Sequence, residues 1–242
     1  MPAPTIDELT IADEPARWAA LGFDVAGGGC QIGTVRLRFV EPAAVAHPPG
    51  SDQPGPGPFG SGPPGIVGWS LRDAASIELD GLATTISEGP PAAPAPAHPN
   101  GVLAIDHVVA ASPDLDRSIA ALRAAGLDLR RVREEPTPAG APRQAFFRLG
   151  GEILELIQEP EQAIASSPEG ERAGGREREA RFWGLALLVE DLERTVELLA
   201  PHVGEARAAV QPGRRIATVR RSAGLAVPLA LMSRDERAEE RR

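Results

Sequence analysis

The six residues Asp114-Leu115-Asp116-Arg117-Ser118-Ile119 return, type for type, as Asp191-Leu192-Glu193-Arg194-Thr195-Val196, 77 positions further on. Each six follows an apolar run that reads as a strand and precedes a break and a strand hairpin. One unit is therefore built at least twice, and neither copy can bury its apolar face alone. A fainter copy stands near the N-terminus. There Ile6-Asp7-Glu8 parallels Ile105-Asp106-His107, and Gly22-Phe23-Asp24-Val25 parallels Gly126-Leu127-Asp128-Leu129. The pattern predicts three β-α-β-β-β units.

The middle unit is the clearest. A strand over 103–111 ends at Ser112-Pro113-Asp114, where Ser112 can cap a helix and Pro113 suits its first position. The helix runs over 113–125 and Gly126 stops it. Strands follow at 127–132, 143–149 and 152–158, the last two joined by Gly150-Gly151. The third unit reads as a strand at 182–189, a helix from Asp191 to Pro201, and strands at 215–220 and 225–233. The first reads as a strand at 5–11, a short helix capped by Asp13, an extended segment from Phe23, and strands at 33–40 and 65–72.

Residues 1–88 thus form a diverged unit with a Pro- and Gly-rich loop at 41–64. Residues 89–101 are a Pro-rich linker. Residues 102–233 hold two units, with a solvated loop at 159–181, and 234–242 are a charged tail. The fold class is α+β. An odd unit leaves an open sheet edge, so the first unit is expected to pair across a homodimer.

Composition removes several kinds of chemistry. All 25 basic residues are Arg, and there is no Tyr. Schiff-base lysines, P-loop lysines and tyrosine acids are excluded. A net charge of −9 argues against a nucleic-acid partner. Cys30 is the single cysteine, so no intrachain disulfide forms, and no His stands near it in sequence to activate it. The N-terminus lacks a basic and apolar leader, and no apolar run nears the length of a membrane span. A cytoplasmic protein without a membrane partner is expected.

The stretch IDHVV…SPDLDRSIAALRAAGL…RQAFFRLGGEILELIQ resembles the vicinal oxygen chelate superfamily, in particular its glyoxalase-like subgroup. The resemblance covers 102–233 well and 5–72 weakly. It implies paired modules whose mixed strands curl into a cup, with helices outside. It also implies a divalent metal in the cup, held by one residue from the first strand and one from the last strand of each module. His107 matches the first-strand ligand and Glu155 the last-strand ligand.

The residues themselves agree with that pairing. Each is polar within an otherwise apolar strand, and imidazole with carboxylate suits Fe, Zn, Mn, Ni or Co. The second half-site is missing: Gly184 and Ala230 stand at the matching positions. Three readings follow. A reduced metal site could recruit a third ligand such as Gln144. The cup could bind a small organic molecule with no metal, as bleomycin-resistance members do. Or His107 and Glu155 are a hydrogen-bonded relic. Without metal, the pair can still work as a base and its orienting group. Arg143 or Arg215, if turned into the cup, would favour a carboxylate or phosphate on the ligand. One of Phe146 and Phe147, and one of Phe182 and Trp183, must face the pocket side. Glu8 occupies the His107 position of the first unit. The expected function is a glyoxalase- or dioxygenase-type protein acting on a small oxygen-rich substrate; the alternative is a sequestering protein that binds without turnover.

Overall fold

The computed structural model describes residues 3–42, 65–137, 140–165 and 175–235. Most of the expected 41–64 loop, the centre of the 159–181 loop and most of the charged tail lie outside these residues. The fold is mixed α+β, with two sheets.

The first unit comprises β1 (Thr5–Ala12), α1 (Pro15–Ala20), β2 (Val25–Ala26), β3 (Gly29–Ile32) and β4 (Val35–Val40). The second comprises β7 (Val102–Ser112), α2 (Leu115–Ala124), β8 (Asp128–Arg133), β9 (Gln144–Leu149) and β10 (Glu152–Gln158). A short α3 (Glu161–Ala165), absent from the sequence reading, precedes the third. That unit comprises β11 (Arg181–Val189), α4 (Leu192–Leu198), β12 (Arg207–Ala208), β13 (Arg215–Thr218) and β14 (Leu229–Met232). In each unit the last strand lies parallel to the first.

The repeated hexapeptide forms the helix entry. Asp114 and Asp191 are the N-caps, each accepting a bond from the backbone N–H three residues on, at 3.0 Å. Ser112 is not the cap. It accepts from the Asp114 N–H at 3.0 Å and fixes the entry loop instead.

Two further strands, β5 (Ile66–Arg72) and β6 (Thr84–Ile86), complete the N-terminal sheet. Its order is β2-β3-β4-β1-β5-β6, and the C-terminal sheet runs β12-β13-β14-β11-β7-β10-β9-β8. The register shows what β5 is. Leu9 pairs with Trp69 as Val108 pairs with Leu185, and Thr10 pairs with Gly68 as Val109 pairs with Gly184. Each strand carries a one-residue bulge at the matching place: Asp7, Val67, Asp106 and Trp183. β6 runs parallel to β5 as β14 runs parallel to β11. So β5 and β6 are the first and last strands of a fourth unit, with residues 73–83 in place of its helix and middle strands. Accordingly β1 is bonded on both sides, by β4 and β5. The open edge that motivated a homodimer does not exist at β1.

Apolar residues of both sheets and of the helices share one core, from Leu9 and Trp18 to Val108, Leu122 and Leu192. Trp69 and Phe182 meet edge to face across the sheets, 5.1 Å apart. The linker is no free spacer: the Ala95 and Asn100 N–H groups donate to the Gly33 and Gly22 carbonyls at 2.9 and 3.3 Å. The polar face of each sheet points away from the shared core.

Candidate functional site

The bulge in β7 creates the local geometry. In a regular strand Asp106 and His107 would point to opposite faces. With Asp106 unpaired in the ladder, its Oδ2 comes within 2.8 Å of His107 Nδ1. Glu155 stands on the neighbouring parallel strand, paired with Val109. Its Oε2 lies 3.2 Å from His107 Nε2. Gln144, on β9, donates through Nε2 to Glu155 Oε1. Behind Asp106, Arg214 Nη2 donates to Oδ1 at 2.6 Å. The result is one chain of contacts: Arg214, Asp106, His107, Glu155, Gln144.

Its charges follow from burial and partners. Burial alone would raise the Asp106 carboxyl, but hydrogen bonds with His107 and Arg214 outweigh it and hold the group below the usual carboxylate range. An ionised Asp106 keeps the proton on Nδ1 and turns the Nε2 lone pair toward Glu155, as acceptor or as ligand. Burial pushes the Glu155 carboxyl up, against the pull of His107 and Gln144.

Beside these groups is a small apolar patch of Val109, Ala111, Ala141 and Ile157, with Trp183 packed on it. Phe146 shares the Gln144 face, its ring lying 5.2 Å from the Arg131 guanidinium carbon. Phe147 and Phe182 are in the shared core. The polar groups thus sit next to apolar contact area, as in small-molecule sites.

Two arginines considered from sequence lie elsewhere. Arg143 points back to α2, bonded to Glu134 at 2.7 Å and Asp116 at 3.0 Å. Arg215 pairs with Glu193 and donates to the Ala206 carbonyl at 3.2 Å. The arginine that reaches the site is Arg214, one position earlier. Neither Arg214 nor Asp106 was singled out from sequence. The signal for Asp106 was its place beside His107 in the repeat, echoed by Asp7 beside Glu8.

The missing half-site has a steric cause. A Cβ on Gly184 would lie 2.7 Å from the Pro228 carbonyl oxygen. Gly68, its counterpart, would meet the Ala83 oxygen at 3.1 Å. At Gly184 the chain passes too close to the residue before β14 for a side chain, and at Gly68 the approach is tight. Among the described residues no group of three or more His, Cys, Asp or Glu is placed to hold a metal. Among these residues the family's four-ligand arrangement is absent. Two donors do approach each other, with a third group beside them. His107 Nε2 and Glu155 Oε2 are as far apart as two adjacent ligands of one ion, and the buried Gln144 Oε1 has no hydrogen-bond partner. A carboxylate behind the imidazole is also what metal-ligating histidines require. The donor chemistry of His107 and Glu155, with the unpartnered Gln144 oxygen nearby, fits a divalent ion bound from one side only.

The fold does bring a histidine to Cys30. Sγ lies 3.8 Å from His98 Nε2. But His98 Nδ1 accepts the Asp24 N–H at 3.0 Å, so the neutral ring carries its proton on Nε2 and cannot take one from sulfur. Burial, and then Asp24, push the thiol up to about 12. We expect a disulfide reagent at pH 8 to leave Cys30 unmodified in the folded protein and to titrate one thiol in denaturant. Rapid modification of the folded chain would show a reactive cysteine instead.

A glyoxalase-like domain family matches residues 105–238, more than half of the sequence. The chain belongs to that glyoxalase-like family, within the vicinal oxygen chelate superfamily. Among solved structures it is similar to methylmalonyl-CoA epimerase from Mycobacterium tuberculosis, at 20% identity and a TM-score of 0.44, over 58% of this chain and 93% of that one. A variant of the Streptomyces coelicolor epimerase in complex with 2-nitronate-propionyl-CoA matches at 20% identity and 0.42, over 56% and 96%. A hypothetical protein from Bacillus halodurans matches at 19% and 0.40, over 55% and 94%. No curated protein matches the chain. No helix among the described residues is long and apolar enough to cross a membrane.

Proposed function

We propose that the outer face of the C-terminal sheet binds a small oxygen-rich organic molecule at a one-sided metal centre made by His107, Glu155 and Gln144. The observation that carries this reading is the unpaired, buried Gln144 Oε1 beside the His107–Glu155 contact. A divalent ion held there would supply Lewis acidity to substrate oxygens. The chain's own groups would do the rest. Asp106, braced by Arg214, orients the imidazole. Glu155 would hold the ion through Oε2 while Gln144 Nε2 fixes its other oxygen, Oε1. Trp183, Val109 and Ile157 exclude water from one side. Gly184 and Ala230 leave the opposite side to the substrate.

The test is metal content by elemental mass spectrometry on untagged protein. Near-stoichiometric metal is expected in the wild type and none in His107→Ala. Asp106→Asn is expected to weaken metal binding by about 10–100-fold, the usual cost of losing an imidazole's outer partner. A wild type that takes up no Fe, Mn, Co, Ni or Zn on reconstitution overturns the metal reading. The 3.2 Å His107–Glu155 contact then favours a metal-free binding site in which the pair hydrogen-bonds the ligand.

A further inference from the structure

The equivalence of the two sheets locates a second site. Glu8 stands where His107 stands, each one residue after the bulged aspartate. Arg38 pairs with Thr10 as Glu155 pairs with Val109, so Arg38 occupies the Glu155 position. The N-terminal sheet thus has a carboxylate and a guanidinium where the C-terminal sheet has imidazole and carboxylate. Arg38 Nε donates to Glu8 Oε1 at 2.8 Å and its Nη2 to Thr10 Oγ1 at 2.7 Å. No cation would enter against that guanidinium.

This face is also hollow. A cavity of about 570 Å³ is floored by Glu8, Arg36 and Arg38 and walled by Gly28, Pro96 and His98. That volume is within the range of about 300–1,000 Å³ of small-molecule sites. The floor and the layer beneath it are rich in arginine, and only Asp24 of the lining brings the carboxylates level with the guanidinium groups. Arg36 and Arg72 share Asp7, and Arg38 takes Glu8, so three guanidinium groups meet two carboxylates. Asp24, on the rim, has 69% of its side chain exposed, where water screens its charge. The Arg36 and Arg38 side chains are both about half exposed, so their ion pairs are weak and open to exchange.

We propose that this cavity is a second, metal-free ligand site that takes a small organic carboxylate. The incoming carboxylate replaces Glu8 on Arg38 and uses the fork geometry of the guanidinium. The apolar part of the ligand lies against the Gly28 and Pro96 wall. The two faces of the molecule would then select opposite chemistry: a cation-assisted oxygen ligand on one, a free anion on the other.

The test is ligand-observed fluorine NMR on the full chain with 4-fluorobenzoate, and with 4-fluorobenzamide as its uncharged match, in about 0.15 M chloride. Saturable broadening is expected for the benzoate alone. Arg38→Gln should weaken it about tenfold. Glu8→Gln removes the internal competitor and should tighten it severalfold, a gain that a misfolded variant cannot imitate. His107→Ala should leave it unchanged. The proposal is overturned if acid and amide bind alike, or if neither binds at up to about 10 mM. It is equally overturned if Glu8→Gln fails to tighten binding, or if the benzoate signal is lost in His107→Ala, which would put the anion on the other face.

Discussion

Trp18→Ala is expected to destabilise the chain by about 3–5 kcal/mol, the cost of deleting a large ring from a closed core. Trp18 has no exposed surface. Its ring centroid lies 5.0 Å from that of Phe23 and 5.3 Å from that of Phe39. Its indole N–H donates to Asp13 Oδ2 at 3.1 Å. Asp13, itself buried, also accepts the Glu14 N–H at 2.8 Å and the Ala226 N–H at 2.9 Å. The ring therefore steadies the carboxylate that ties the first unit to the last. A domain's whole stability is about 5–15 kcal/mol, so the loss would be a large share of it. Trp18→Phe keeps a six-membered ring but removes the N–H together with the rest of the indole, and should cost about 2–3 kcal/mol, less than the alanine variant. Urea unfolding of the three proteins measures the order of these losses. A loss under about 1 kcal/mol for the alanine variant would mean that the Trp18 cluster collapses without a cavity.

Restoring a ligand to the empty half-site should fail. Gly184→His is expected to bind no more metal than the wild type and to lose about 1–3 kcal/mol of stability, as overpacked sites do. The reason lies at the first side-chain atom. A Cβ at 184 sits 2.7 Å from the Pro228 carbonyl oxygen, the same oxygen that accepts the Leu185 N–H at 3.0 Å. That oxygen cannot move without breaking the β11–β14 ladder. Gly184→Ala should therefore show much of the same loss with no imidazole present. Unfolding free energies for both variants, with metal content for the histidine one, decide the matter. A stable Gly184→His protein with tighter metal binding would show that the strands can part.

The faces of the strands illustrate how far local pattern reaches. His107 and Glu155 could be paired because the resemblance puts a ligand on the first and last strands of a unit, and both are polar interruptions of apolar runs there. Arg143 and Arg215 could not be oriented in the same way. Arg143 precedes β9 and Arg215 is the first residue of β13, where a strand's alternation has no preceding neighbour to fix the face; within β7 the bulge at Asp106 breaks the alternation as well. The Asp106 bulge turns the aspartate toward His107. At the start of β13 it is Arg214, and not Arg215, that reaches back to Asp106.

The sequence by itself determined the repeated β-α-β-β-β unit and the places of its helices, while the caps it offered, Ser112 and Asp13, give way to Asp114 and to an α1 start with no side-chain cap. The unit depends on short-range chemistry: glycine stops and apolar periodicity within one segment; the His107–Glu155 match depends on the family resemblance. Only the tertiary structure decided that β5 and β6 are the reduced fourth unit that covers the edge of β1. It alone showed that Gly184 and Gly68 lie close to backbone carbonyls just before a neighbouring strand. And it alone set Arg38 in register with Glu155. Each of these depends on which distant strand lies alongside and in what register, which is settled by shared burial and ladder hydrogen bonds rather than by any local run of residues.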